Sequence, residues 1–536
     1  MPLTRRSSLL TTRLFASQSL TCGGQRLSTR ATICIRMEQK NAHWTVAALI
    51  ASPKRSHAAV SHQHLRYPDI ADSVELQSTP STMCVGACSG VLRMLLLPPT
   101  LLLLPALLLK GRAADAWFAR FERALLRALE HGGPCLSKLG QWAATRPDLL
   151  PESLCVTLGS LQHSAPLHTD GHTRAAVVQA FGVPVEALFR TLGGTLGSGC
   201  IAQVHEAVTL DGVRVAIKVI HPGVEQHVAD DLYLMRLALA VAQGSLSPFV
   251  SGLRWLALSE SLDEFAAFMA RQLDLRHEAA SLETFSANFR DDPRVRFPAP
   301  VRGVGEGGCH SLVSRHVLVE SYLGGETLAA MLQEDAREGP LAAKRHAARN
   351  QELARLGLHT FLTMLLRHNL AHADLHPGNI LVSQDDRGHW VLGLVDAGLV
   401  VQLEERDRLN FLQLFRAIGQ GDGAHAGELM LTRAREQRCS DPDAFREGMR
   451  ELVTQARAGE RGAFNLAHLR IGDVLLEVTR LVRIHQVQAD PIFTTLVCSI
   501  AVLEGVGRTL DPTLDLFDVA LPMLAGLAMS LPARAL

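Results

Sequence analysis

Aromatic side chains make up only 5% of the 536 residues, and there is no net charge, with 53 Lys and Arg against 53 Asp and Glu. Few aromatics means no stacking platform for single-stranded nucleic acid. Charge balance removes the basic field that would gather any nucleic acid, so no such partner is expected. Ten cysteines are present, yet no two are spaced C-x-x-C; Cys84 and Cys88 come closest and have no second pair. That excludes a zinc framework on spacing and fits free thiols in a reducing compartment. No acid precedes Glu38. At this length one ordinary core is too small, so two or three folded units with tails are expected.

The acid-free start contains Arg5, Arg6, Arg13, Arg26, Arg30 and Arg36 among many Ser and Thr. Residues 1–37 read as a mitochondrial transit peptide, a disordered basic tail being the other reading. Residues 38–90 lack periodicity and read as a linker. Residues 91–109 are a candidate membrane anchor. The run from Met94 to Leu109 is 16 residues and carries Pro98, Pro99 and Pro105, against the roughly 20 residues needed to span hydrocarbon. A docked leucine-rich helix is the alternative. Residues 115–190 are expected to be a helical extension, 191–325 and 326–515 two further units, and 516–536 an apolar tail.

What is present is a set of motifs in a fixed order. Gly197-Ser198-Gly199 precedes a β-hairpin whose turn is Asp211-Gly212, and the second strand reads Val215-Ala216-Ile217-Lys218. Backbone amides of a glycine loop over phosphates, followed by a strand lysine, form the nucleotide clamp of kinases. Lys218 on its own also reads as an edge-strand lysine that blunts aggregation. Residues 228–290 are helical by pattern, and Glu278, placed on the second helix, is the candidate partner of Lys218. Strand, hinge and helix start follow from His316 to Glu326, with backbone at Glu320, Tyr322 and Leu323 expected to meet an adenine ring. Next come His372-Ala373-Asp374-Leu375-His376-Pro377-Gly378-Asn379 and Asp396-Ala397-Gly398, at the ends of two short apolar strands. Alone, the first reads equally as a polar turn. In kinase order, Asp374 is the base or orienting acid, and Asn379 and Asp396 are the metal ligands. No A-P-E segment follows Asp396; the chain runs through Leu399–Leu403 into a helix.

These residues resemble the UbiB/ADCK (aarF-domain) family of atypical kinase-like proteins linked to coenzyme Q biosynthesis. The resemblance covers about residues 115–515. Its K-x-G-Q motif matches Lys138-Leu139-Gly140-Gln141, followed by Arg146-Pro147-Asp148-Leu149-Leu150-Pro151. Its lysine, helix glutamate, loop and metal aspartate match Lys218, Glu278, His372–Asn379 and Asp396, and its ending matches Glu504–Pro512. Three positions depart from the pattern. Gly197-Ser198-Gly199-Cys200 stands where the family often has alanines. Asp-Ala-Gly replaces Asp-Phe-Gly. Gln272-Leu273-Asp274 replaces E-x-D, so a neutral amide stands where a charge opposite Lys138 is expected.

The resemblance implies an α+β, two-lobed protein-kinase-like fold with a helical N-terminal extension and helical C-terminal additions. It implies ATP or ADP with Mg2+, and an atypical kinase or ATPase anchored at the mitochondrial inner membrane. Lys138, Gln141, Gln272 and Asp274 would be regulatory. Partners would be mitochondrial membrane lipids, coenzyme Q biosynthesis proteins or an isoprenoid lipid. A non-catalytic nucleotide-binding scaffold and a protein Ser/Thr kinase are the alternatives.

Overall fold

The computed structural model describes residues 14–22, 25–33, 112–144, 152–159, 161, 167–246, 258–302, 311–339, 345–434, 439–457, 471–487, 491–514, 519–520 and 522–523. The candidate anchor at 91–109, the segment 145–151 and most of the tail lie outside them. Among the described residues no helix is long and apolar enough to cross a membrane. The chain divides into two units, residues 1–63 with 239–255, and residues 64–238 with 256–536. The first holds an antiparallel hairpin of β1 (Leu14–Cys22) and β2 (Gln25–Ile33). Every site residue expected from the sequence lies in the second.

The second unit opens with three helices, α1 (Arg112–His131), α2 (Pro134–Ala144) and α3 (Glu152–Gly159). Phe121 and Leu129 of α1 are buried with Leu136 and Leu158, as the amphipathic pattern requires. Helix α4 (Asp170–Phe181) has definite ends. Thr169 accepts from the His172 amide at its start, and Gly182 adopts a left-handed φ of 73° at its close, a conformation glycine takes without strain.

The N-lobe sheet is antiparallel, in the order β3 (Phe189–Ser198), β4 (Ala202–Thr209), β5 (Arg214–Ile220), β7 (Val317–Ser321). The β4–β5 turn contains Gly212 at φ 84°, as the Asp-Gly signal demands. Alternation then sorts the side chains. Val215, Ile217 and Val219 of β5 pack with Val317 and Val319 of β7 and Val177 of α4. Burial of each such aliphatic contributes on the order of 1.5–3 kcal/mol. The opposite face of these strands therefore carries Ala216, Lys218, Leu318 and Glu320, paired Ala216 to Glu320 and Lys218 to Leu318.

Three helices follow β5: α5 (Val224–Leu246), α6 (Leu258–Gln272) and α7 (Leu275–Asn288). The stretch from Gln272 to Ala280 is not one helix. It breaks at Leu273–Asp274, where Asp274 caps α7 by accepting from the Arg276 amide. Glu278 thus belongs to the first turn of a third helix rather than to the second.

The C-lobe contains a four-stranded sheet of β6 (Val295–Arg296), β11 (Trp390–Leu394), β10 (Ile380–Gln384) and β8 (Glu326–Thr327), plus a short pair of β9 (Ala371–His372) and β12 (Val400–Val401). Helices α8 (Leu328–Glu338) and α9 (Ala347–Leu362) precede β9, and α9 closes in a π-turn at Thr363–Arg367. After β12 come α10 (Glu405–Gln420), α11 (Gly423–Arg433), α12 (Pro442–Arg457), α13 (Ile471–Ile484) and α14 (Pro491–Leu510). The chain passes from Asp396 to α10 in eight residues, with no intervening segment of activation-loop length.

Candidate active site

Strand alternation places Lys218 on the cleft face, and the first turn of α7 brings Glu278 to it. Lys218 Nζ lies 2.7 Å from Glu278 Oε1 and 2.6 Å from Asp396 Oδ1. Burial by itself would lower the lysine pKa; Asp396 and Glu278 outweigh it and hold the ammonium charged far above its usual range. Asp396 shows the reciprocal effect. The cleft walls partly desolvate it although its side chain stays 47% exposed, which alone would raise its pKa, but Lys218 keeps it well below the usual carboxylate range, with Lys138 adding to the pull. Glu278 is only 4% exposed, and burial pushes its carboxyl up against the opposing pull of Lys218. One ammonium is shared between two carboxylates, and Asp396 keeps the charge more firmly.

The polar loop is held by its own backbone contacts. His372 is fully buried, and burial keeps it neutral. Its Nδ1 accepts from the Asp374 amide at 3.2 Å, so Nε2 must carry the proton that reaches the Val395 carbonyl at 3.2 Å. The imidazole thus ties Asp374 to the strand entering Asp396. Asn379 Nδ2 donates to the Asp374 carbonyl at 3.0 Å, and the Val395 amide donates to the Asn379 carbonyl at 3.0 Å. Asp374, Asn379 and Asp396 are therefore positioned as one unit. Asp396 sits at φ 60°, a conformation costly outside glycine and maintained by its surroundings.

Hard divalent cations take oxygen ligands, and Mg2+ commonly uses one or two carboxylates together with substrate phosphates. The donor set fits. Asn379 spends its amide nitrogen on Asp374, leaving its oxygen as the remaining donor atom, and the Asp396 side chain is 47% exposed.

Gln272 has a specific task. Its Nε2 donates to the Gly398 carbonyl at 2.9 Å. A Cβ on Gly398 would come within 3.2 Å of that nitrogen and 3.4 Å of Asp396 Oδ1. A glutamate at 272 has no proton to donate when ionised, so the glutamine fastens the Asp396-Ala397-Gly398 turn where a carboxylate would not. Asp274, its companion in the expected regulatory motif, is buried as the cap of α7 and is ion-paired to Arg276 at 2.7 Å. Lys138 is buried on α2, and its charge is felt at Asp396 and at Cys200 of the glycine loop. Gln141, one turn on, has a buried Nε2 with no hydrogen-bond partner among the described residues.

Gly197 and Ser198 close β3, and the Gly199 amide turns back to the Ala202 carbonyl at 2.9 Å. Tyr322 and Leu323 form the link from β7 to β8. The Tyr322 ring receives the Arg214 guanidinium 3.9 Å from its centroid. Leu323 leans over β11, since a Cβ on Gly393 would meet Leu323 Cδ1 at 3.2 Å. Glu320 is not part of that link. It lies inside β7 with a buried side chain.

One cluster was not foreseen. His168, His172, His205 and His221 converge behind the glycine loop. His221 Nε2 reaches the Gly199 carbonyl at 2.9 Å, His168 and His221 meet through their Nδ1 atoms at 2.8 Å, and His168 Nε2 meets Thr173 Oγ1 at 2.9 Å. A carbonyl only accepts, so His221 Nε2 donates; His168 Nδ1 then donates to His221, and Thr173 donates to His168. His205 joins through Thr173 Oγ1 at 2.9 Å, and His172 reaches the Ile220 carbonyl at 3.0 Å. No spacing in the sequence marks these four residues as neighbours.

Among known proteins, the ABC1 atypical kinase-like domain matches residues 160–430 and the UbiB helical domain residues 463–515. A probable serine/threonine-protein kinase of Dictyostelium discoideum is 30% identical over 499 residues, covering 80% of this chain and 67% of that protein. A mitochondrial ABC1 family protein of Saccharomyces cerevisiae is 30% identical over 473 residues, covering 77% and 69%. A probable protein kinase UbiB of Cellvibrio japonicus is 30% identical over 431 residues, covering 80% and 72%. The solved Rv3197–erythromycin complex of Mycobacterium tuberculosis has a TM-score of 0.43 at 18% identity, over 70% of this chain and 91% of that one. With a kinase-like cleft whose residues come in family order, and a family match spanning half its length, this chain belongs to the ABC1/UbiB family of atypical kinase-like proteins.

Proposed function

We propose that the chain is an ATP-binding, Mg2+-dependent phosphoryl-transfer enzyme, an atypical kinase or ATPase. The observation that carries this is Lys218 Nζ fixed between Glu278 and Asp396, with Asp374 and Asn379 tied to the same turn. In this reading Lys218 binds α- and β-phosphates, and Asp374 takes the proton of an attacking hydroxyl or water as its oxygen bonds to the γ-phosphorus and ADP leaves. Mg2+ held by Asn379 and Asp396 would neutralise charge on the phosphates. Lys138, whose field reaches Asp396, and the absence of an activation-length segment between Asp396 and α10 argue against an extended protein substrate. They favour water or a small, lipid-like acceptor.

The names of the yeast relatives, the acid-free residues 1–37 and the leucine-rich 91–109 support a site at the mitochondrial inner membrane, and the UbiB relatives support a role in coenzyme Q metabolism. The competing reading is a nucleotide-loaded scaffold without turnover. Asp374→Asn separates the two. Nucleotide turnover by the full chain with ATP, Mg2+ and liposomes is expected to fall at least about 100-fold while the melting temperature is retained. Turnover that survives the substitution refutes the assignment of Asp374, and binding without any wild-type turnover establishes the scaffold.

A further inference from the structure

Glu320 is the one acid on the cleft face of β7. It is 94% removed from solvent, at 6% exposure, and its Oε2 has no hydrogen-bond partner among the described residues. Leaving a buried carboxyl oxygen unsatisfied costs stability, and an apolar residue would have avoided that cost. Ordinary strand patterning does not explain it, since its neighbours Val317, Leu318 and Val319 are all apolar and fully buried.

The register fixes what it faces. Glu320 pairs with Ala216, and Lys218 pairs with Leu318. Paired residues in an antiparallel sheet share a face, so Glu320 stands beside Ala216 and diagonally from Lys218, roughly 7–8 Å away along the sheet. Val204 and Glu206 of β4, paired with Lys218 and Ala216, complete that face. Lys218 marks the phosphate end of the cleft. Glu320 lies one pairing step further along β7, separated from the Tyr322–Leu323 link only by Ser321.

Its protonation suits that place. Burial first, then the nearby Glu278, push its carboxyl up to about 8, Lys218 opposing and Asp396 adding to the rise. Glu206, the other acid on this face, is occupied by Arg214 at 2.7 Å. In its protonated form Glu320 presents one O–H donor beside one carbonyl acceptor. The Hoogsteen edge of adenine offers the complement, an N7 acceptor beside a 6-amino donor, whereas guanine offers two acceptors.

We propose that Glu320 is the specificity-determining residue of the nucleotide site, donating its O–H to purine N7 and accepting from the 6-amino group, and so selecting adenine over guanine nucleotides. This rests on the nucleotide-binding reading of the cleft. The test is binding of Mg-ATP, Mg-GTP and Mg-7-deaza-ATP to the full chain at pH 7 by titration calorimetry. ATP should bind about tenfold tighter than either analogue, because each analogue leaves one member of the pair unmatched. Glu320→Gln keeps an N–H donor and a C=O acceptor and should retain the preference. Glu320→Leu should bind all three within about threefold of one another. Equal binding of ATP and 7-deaza-ATP by the wild type overturns the proposal without recourse to any variant, and so does an undiminished ATP preference in Glu320→Leu. A wild type that binds none of the three removes the cleft reading and this proposal with it; one that binds all three alike removes only the proposal.

Discussion

The ammonium of Lys218 is the sole described cation bonded to both Glu278 and Asp396, and that sets the cost of losing it. Buried ion pairs add little net stability, but removing one partner leaves the other charge uncompensated. Lys218→Met should therefore destabilise the fold by about 3 kcal/mol and lower nucleotide turnover at least about 100-fold. Adding Glu278→Gln should recover part of the stability, because the second substitution removes the stranded carboxylate, while recovering none of the turnover. Denaturant melts of the single and double variants measure this. A double variant no more stable than Lys218→Met would show that the pair is not coupled as its geometry indicates. The same residues show how far sequence reasoning reached. Lys218, Asp374, Asn379 and Asp396 were legible because their chemistry demands fixed types at fixed spacings. Glu320 was read as hinge backbone because strand register, and hence its inward face, is a pairing property of two distant segments. Gln272 was read as a missing charge because the Gly398 carbonyl it bonds is 126 residues away.

Elements carry the second lesson. Strands β4 and β5 and their turn followed from alternation and Asp-Gly, and β10 and β11 followed from short apolar runs. The break between α6 and α7 did not, because Asp274 reads as a motif position until its capping bond to Arg276 is seen. The histidine network was invisible for a related reason, as it joins the entry to α4, the middle of β4, and the end of β5. It latches the glycine loop through the Gly199 carbonyl. Burial is the main reason that the His168 pKa drops to about 4, with His221 and His172 adding to it; His205 and His221 are likewise lowered by burial. The unfolded chain, with histidines near 6.5, binds these protons first. Stability from the latch is therefore fully present above about pH 6.5 and is lost as pH falls towards 4. For the half-buried His168 the loss should be on the order of 1–2 kcal/mol after screening by solvent. Thermal melts between pH 7.5 and 4.5 should show this decline, and His168→Gln should flatten it. An equally steep decline in the variant would place the acid sensitivity elsewhere.

At the scale of the molecule, the two lobes divide the site. The N-lobe sheet supplies the glycine loop, Lys218 and Glu320, and the C-lobe supplies Asp374, Asn379 and Asp396. Lys218 and Asp396 join the lobes directly at 2.6 Å. A ligand that engages both sides should strengthen that connection. Binding to the folded state alone stabilises it by RT ln(1 + [L]/Kd), about 2.7 kcal/mol at a hundredfold excess over Kd. Saturating ATP with Mg2+ should therefore raise the melting temperature of the full chain by a few degrees. ATP with a chelator should raise it less, because the Asn379 and Asp396 oxygens then face phosphate without a cation between them. Lys218→Met should abolish most of the rise, since it removes the phosphate anchor from the N-lobe, whereas Asp374→Asn should keep it, since that substitution affects transfer rather than binding. A metal-independent rise that survives Lys218→Met would mean the nucleotide binds outside the interlobe cleft.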